Sequence, residues 1–141
     1  MIRFFVAGIP ASQGSKRHVG GGRMIESSKK LKPWREAVRK AAAEHAPDEP
    51  FDEAVRVTVH FYLPRPKRSR FGKHPAGVPD ADKLLRSTFD GITAGKLWVD
   101  DSRVVRVIAE KHWTDDKPGA SITVEPLWDA LERSLADDNP V

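Results

Sequence analysis

The sequence predicts an α+β fold, a mixed β-sheet packed with helices, and three patterns carry that reading. Ala54–Leu63 alternates apolar and polar residues, Lys32–Ala46 repeats apolar residues at three- and four-residue spacing, and a second helical period runs from Asp80 to Gly95. At 141 residues, of which 39% are hydrophobic, the chain has the length and apolar content to bury one core. Residues 1–141 are therefore expected to form a single domain.

Ile2 to Ile9 carries β-branched and aromatic residues up to Pro10, which predicts a first strand with both faces at least partly covered. The polar stretch Ser12–Arg23 follows, and its Gly20-Gly21-Gly22 run predicts the tip of a hairpin or arm. In the first helix Trp34, Val38, Ala41, Ala42 and His45 share a face, and Pro33 stands where a first turn tolerates proline. Pro47 to Pro50 ends it. The next strand places Val55, Val57, Val59, Phe61 and Leu63 on one side and Arg56, Thr58, His60 and Tyr62 on the other.

A loop from Pro64 to Pro79 then holds Arg65, Lys67, Arg68, Arg70 and Lys73 and no acid. Connections of this length inside a compact domain are usually functional. The second helix starts at Asp80, with Leu84, Leu85, Thr88, Phe89 and Ile92 on one face and Gly95 at its C-terminal stop. Val104–Trp113 and Ala120–Val124 read as two strands joined in a hairpin across Asp115–Gly119, and Pro126–Ala136 reads as a terminal helix.

The net charge of +4 and basic isoelectric point favour an anionic partner such as nucleic acid. The basic residues cluster at Lys16–Arg17, Lys29–Lys32 and Arg65–Lys73, whereas 129–138 is acidic, which suggests one basic face. With no cysteine, disulfides, thiolate zinc sites and a cysteine nucleophile are excluded. The apolar start breaks at Pro10, too early for a signal or membrane segment, so a cytoplasmic location and no membrane partner are expected.

The chemically informative acids are Asp80 and Asp82 at the start of the second helix and Asp101 at the entrance of the following strand. Carboxylates gathered together repel unless a cation compensates them, and oxygen-only donors suit Mg²⁺ or Mn²⁺ better than zinc. The same residues also fit a purely structural role: Asp80 as helix N-cap, Asp82 in the first turn, and Asp100-Asp101-Ser102 as a turn. The acid-free loop before Asp80 favours the first reading, because it would deliver phosphates beside the carboxylates. Geometry sets a condition on it. A helix of about fourteen residues spans roughly 20 Å, so Asp101 meets the helix start only if the intervening loop folds back.

Asp80-Ala81-Asp82, Arg86 four positions later, and Trp98-Val99-Asp100-Asp101 leading into the Val104-Val105 strand resemble the RusA family of Holliday junction resolvases, often encoded by phages and prophages. The resemblance is strong over Val78–Lys111, about a quarter of the chain. It implies that Asp80, Asp82 and Asp101 are the metal-binding catalytic acids, with Asp100 their neighbour. It also implies a homodimer that cuts two opposed strands of a four-way DNA junction with Mg²⁺ or Mn²⁺, in a bacterial or phage-infected cell. In such a dimer an acid can approach from the partner chain. Two positions depart from the family pattern: Lys83 stands where Asn is common, and Arg86 where Lys is common. Arginine does not readily release a proton, so Arg86 is expected to clamp phosphate or stabilise transition-state charge.

Lys16, Arg17, Arg23, Lys67, Arg68, Arg70, Lys73 and Lys83 are expected to track DNA backbone, and Phe71 offers a ring that can stack on or wedge between bases. The glycine run lacks the Gly-Lys-Ser/Thr ending of a P-loop, which argues against nucleotide binding. His18, His45, His60, His74 and His112 show no paired metal spacing, and Trp34, Trp98 and Trp113 are expected in the core. Two other function classes remain beside the nuclease: a non-catalytic DNA-binding module, and a metal-carboxylate enzyme acting on a small phosphorylated substrate.

Overall fold

The computed structural model describes residues 1–13 and 20–127, the side chains of 20–28 excepted. Its elements run β1 (Ile2–Ala7), α1 (Gly20–His45), β2 (Val55–Pro64), α2 (Ala81–Ala94), a 3-10 turn (Asp101–Arg103), β3 (Val104–Thr114) and β4 (Gly119–Pro126). The four strands form one mixed sheet in the order β1-β4-β2-β3, so the predicted α+β class holds. β2 pairs with β3 in parallel and with β4 antiparallel, and β4 also pairs antiparallel with β1.

The alternation in β2 decides the layering. Val55, Val57, Val59, Phe61 and Leu63 are buried, and together with Phe4, Val6, Ile122 and Val124 they form the sheet's side of the core. Trp34, Val38 and Ala42 of α1 and Leu84 and Ile92 of α2 pack against them. Both helices thus lie on one face. The other face carries Arg3, Arg56, Thr58, His60, Ser121, Thr123 and Glu125 along an open groove. Glu125 is buried there against the guanidinium of Arg56.

Four expectations change. The glycine run is no hairpin tip: Gly20–Gly22 open α1, which continues through Pro33 instead of beginning at it. The periodicity located the helix only from Lys32 onward, because no apolar repeat marks the sequence before it. β3 and β4 do not form a hairpin; β2 lies between them. β4 alternates with most positions buried, which fits a central strand, whereas β3 is exposed along Val105–Ile108 and takes the edge. In β1 only one face is covered, leaving Arg3, Phe5 and Ala7 exposed. Pro126 ends β4, and the rest of the expected terminal helix lies beyond the described residues apart from Leu127.

Gly95 ends α2 as expected, for a different reason. Its own φ is −79°, and the left-handed turn falls on Lys96 at φ 62°. A Cβ at Gly95 would sit 2.7 Å from both the Ala42 Cβ and the Arg39 carbonyl oxygen, and one at Gly91 would sit 2.7 Å from the Val38 Cβ. The glycines let α2 approach α1 closely, where Trp34 Nε1 donates to Thr88 Oγ1 at 3.2 Å. Ser87, also buried, donates to the carbonyl of Ala11 at 2.6 Å and ties the chain after β1 to the first half of α2. Among the described residues no helix is long and apolar enough to cross a membrane.

Replacing Gly91 with Ala adds helix propensity worth about 1 kcal/mol but overpacks a contact whose strain typically costs about 1–3 kcal/mol. Gly91→Ala is expected to be net destabilising in urea unfolding. Val38→Ala in the same chain should recover part of the loss, giving a non-additive double-mutant cycle.

Candidate nuclease site

The chain leaves β2 at Pro64, runs through the basic loop and enters α2 after a cis Val78–Pro79 peptide. Lys111 on β3 fastens the end of this loop: its Nζ donates to the carbonyls of Gly77 and Pro79, both at 2.9 Å. The ammonium fixes Gly77 and Pro79, at the end of the loop before Asp80, against the exit end of the sheet. Sequence reading missed Lys111. Its one signal was a lysine at an alternating position of a strand, which is usually a solvated residue.

Asp80 occupies the N-cap position of α2, yet its side chain makes no capping hydrogen bond. Its carboxylate instead stands 3.3 Å from Lys83 Nζ. Asp82 is exposed in the first turn, where the helix dipole favours negative charge. Arg86 is exposed one turn further on. Neither forms an ion pair with a described residue. Both acids are held at a helix start, Asp82 without an ion-pair partner among the described residues and Asp80 with Lys83 as its partner.

The basic loop divides in two. Arg65 is spent within the chain, donating to Asp115 at 2.8 Å. Lys67, Arg68, Arg70 and Lys73 are exposed and make no ion pair with described residues. Arg70 lies over the ring of Phe71, 5.4 Å from its centroid, and that ring is half exposed. A cleft of about 350 Å³ opens beside the end of the loop, lined by Ile9, Pro10, Leu63, Val78, Pro79 and Trp113 among others. Lys16 and Arg17 lie outside the described residues, as does the side chain of Arg23.

Asp100 and Asp101 have different surroundings. Trp98 is buried, donates its indole N–H to Thr93 Oγ1 at 2.6 Å, and stacks edge-on against Phe89. Its neighbours Leu97 and Val99 hydrogen-bond to the backbone of Phe51. That anchor delivers the two acids to the start of β3. Asp100 caps the 3-10 turn by accepting from the Ser102 N–H at 2.9 Å, and hydrogen bonding from Ser102 holds its carboxyl below the usual range. Asp101 is exposed, and its carboxylate has no partner among the described residues.

The single chain does not bring the three acids together. Asp80 starts α2 beside Lys111, near the exit of β3, while Asp101 precedes Val104 at its entrance. Roughly 23 Å of strand separates Val104 from Lys111 at about 3.3 Å per residue. Among the described residues a different set lies within 4.8 Å of one another: His60, Glu110 and His112.

An α+β chain that presents exposed acids at a helix start, next to a fastened and acid-free basic loop, has the makings of a protein that handles phosphodiesters. The family model for endodeoxyribonuclease RusA matches residues 7–125, and the chain belongs to that family of Holliday junction nucleases. It is also similar to the uncharacterized protein YqaN of Bacillus subtilis (strain 168), 26% identical over 128 residues that cover 82% of this chain and 89% of that protein.

Replacing Lys111 with Met removes a charged donor from two carbonyls, and hydrogen bonds to charged groups contribute about 1.5–3 kcal/mol. Lys111→Met should lower stability by that order and expose 64–79 to limited proteolysis. Unchanged cleavage kinetics in the loop would show that Lys111 does not hold it.

Proposed function

We propose that the chain is a divalent-cation-dependent endonuclease that resolves four-way DNA junctions as a homodimer, with Asp80 and Asp82 of one protomer and Asp101 of the other completing each site. The observation that carries this reading is the pair of exposed acids at the helix start, beside the fastened end of the basic loop, in a chain of the RusA family. Their oxygen-only donor set fits Mg²⁺, with Mn²⁺ as an alternative. When bound, the cation supplies charge neutralisation at the scissile phosphate and activation of the attacking water.

The protein's own residues do the rest. Lys67, Arg68, Arg70 and Lys73 bind backbone phosphates without reading sequence. Lys83 releases Asp80 to the cation and turns to phosphate. Arg86, one turn along α2, faces the charge that develops in the transition state and keeps its proton throughout. Asp100 holds the turn that aims Asp101.

The exposed edge of the sheet supports the dimer. Val105, Val107 and Ile108 of β3 are 56%, 43% and 44% exposed, and an apolar edge strand of this kind invites pairing with another chain. Two β3 strands paired antiparallel about a two-fold axis near Val107 set the entrance of each beside the exit of the other. Asp101 then approaches Asp80 and Asp82 of the partner subunit. Two such sites related by symmetry suit two opposed strands of a junction.

A synthetic four-way junction with Mg²⁺ or Mn²⁺ tests the activity. The wild type is expected to make paired cuts. Asp82→Asn and Asp101→Asn should each slow cutting by at least roughly 100-fold, the upper end of what even an outer-shell change at a metal costs, while junction binding is retained. Val107→Lys should sediment as a monomer and lose cutting. Binding without any cutting by the wild type would favour a non-catalytic DNA-binding module.

A further inference from the structure

We propose that His60, Glu110 and His112 form a second metal site, selective for a transition cation such as Zn²⁺, on the face of the sheet opposite the helices. The site is built by strand register. β2 and β3 run parallel, with His60 opposite Glu110 and Tyr62 opposite His112. Residues two apart on a strand share a face, so Glu110 and His112 project to the same side as His60. The histidines lie far apart in sequence and so show no ligand spacing there.

The distances suit a small cation. His60 Nδ1 is 3.0 Å from both His112 Nε2 and Glu110 Oε2, and His112 Nε2 is 3.6 Å from Glu110 Oε2. Tetrahedral zinc with bonds of about 2.0–2.1 Å requires ligand atoms about 3.3 Å apart, within the span of these three. Tyr62 stacks on the His112 ring at 5.3 Å between centroids, and the two imidazoles stack at 5.2 Å, which limits ring rotation. All three side chains are partly exposed, so a cation enters from solvent and keeps water at its remaining position.

Donor chemistry separates this site from the acids of α2. Two imidazoles and one carboxylate suit Zn²⁺, whereas Mg²⁺ seeks oxygen. The bound ion joins β3, the exposed edge, to β2 and thereby stiffens the strand. The inference does not depend on the nuclease reading.

Calorimetric titration of the chelator-treated full chain with Zn²⁺, without Mg²⁺, provides the test, alongside the visible spectrum of Co²⁺ added in its place. One equivalent per chain is expected, with the d–d absorption of low-coordinate Co²⁺. His60→Ala and His112→Ala should each weaken binding by more than about tenfold, while circular dichroism verifies that they fold. His74→Ala and Asp82→Asn should bind as the wild type does. No Zn²⁺ uptake by the wild type, or unchanged affinity in a folded His112→Ala chain, overturns the proposal. Loss of the equivalent in Asp82→Asn with retention in His112→Ala would place the ion at the helix acids and likewise overturn it.

Discussion

The parallel pairing of β2 with β3 is the constraint from which the rest of the structure follows. Two parallel neighbours cannot be joined by a tight turn, so the chain must travel from the exit of β2 back to the entrance of β3. The basic loop and α2 make that journey. The loop is left at the exit end, where Lys111 holds its last carbonyls, and α2 returns along the core face with Gly91 and Gly95 seated against α1. Trp98 and Phe51 close the route at the entrance end. The order of the elements therefore assigns the acids of the helix start and the acid of the turn to opposite ends of one strand.

That separation gives the exposed edge a meaning beyond solubility. On the proposed reading a monomer holds two incomplete halves of a site, with a strand between them that is exposed from Val105 to Ile108. Antiparallel pairing of that strand is the simplest operation that reunites the halves. On that reading the catalytic site and the dimer are a single property, and an isolated protomer lacks a complete site. The same parallel register acts on the other face, where it gathers two histidines and a glutamate that lie far apart in the chain.

Much of this was legible in the residues. The alternation of β2 and the period of α2 are strong because each buries one face and leaves the other wet, and the sequence records that contrast directly. The membership of the family was legible in the Asp80-Ala81-Asp82 and Trp98-Val99-Asp100-Asp101 motifs, and the basic loop in its lack of any acid. The position of β3 was not. Its short, turn-rich link to β4 reads as a hairpin, and only the competition of both strands for β2 decides otherwise. The start of α1 was hidden because the segment before Trp34 carries no apolar repeat. Gly95 was recognised as a terminator, while its packing against Ala42 and Arg39 depends on a helix crossing that local sequence does not encode. Lys111 and the His60–Glu110–His112 set were invisible for the same reason: each is made by neighbours brought in through the sheet.

Whether each site takes its acids from two chains is the claim on which the account turns, and mixing two inactive variants tests it directly. Asp82→Asn and Asp101→Asn chains, differently tagged and co-expressed, form heterodimers that tandem affinity purification isolates. If the site is shared, one of the two sites in each heterodimer contains both lesions and the other contains none, so the heterodimer should nick four-way junctions although each parent dimer is inactive. If purified heterodimers remain as inactive as their parents, each site draws its acids from one chain, and the shared arrangement is wrong.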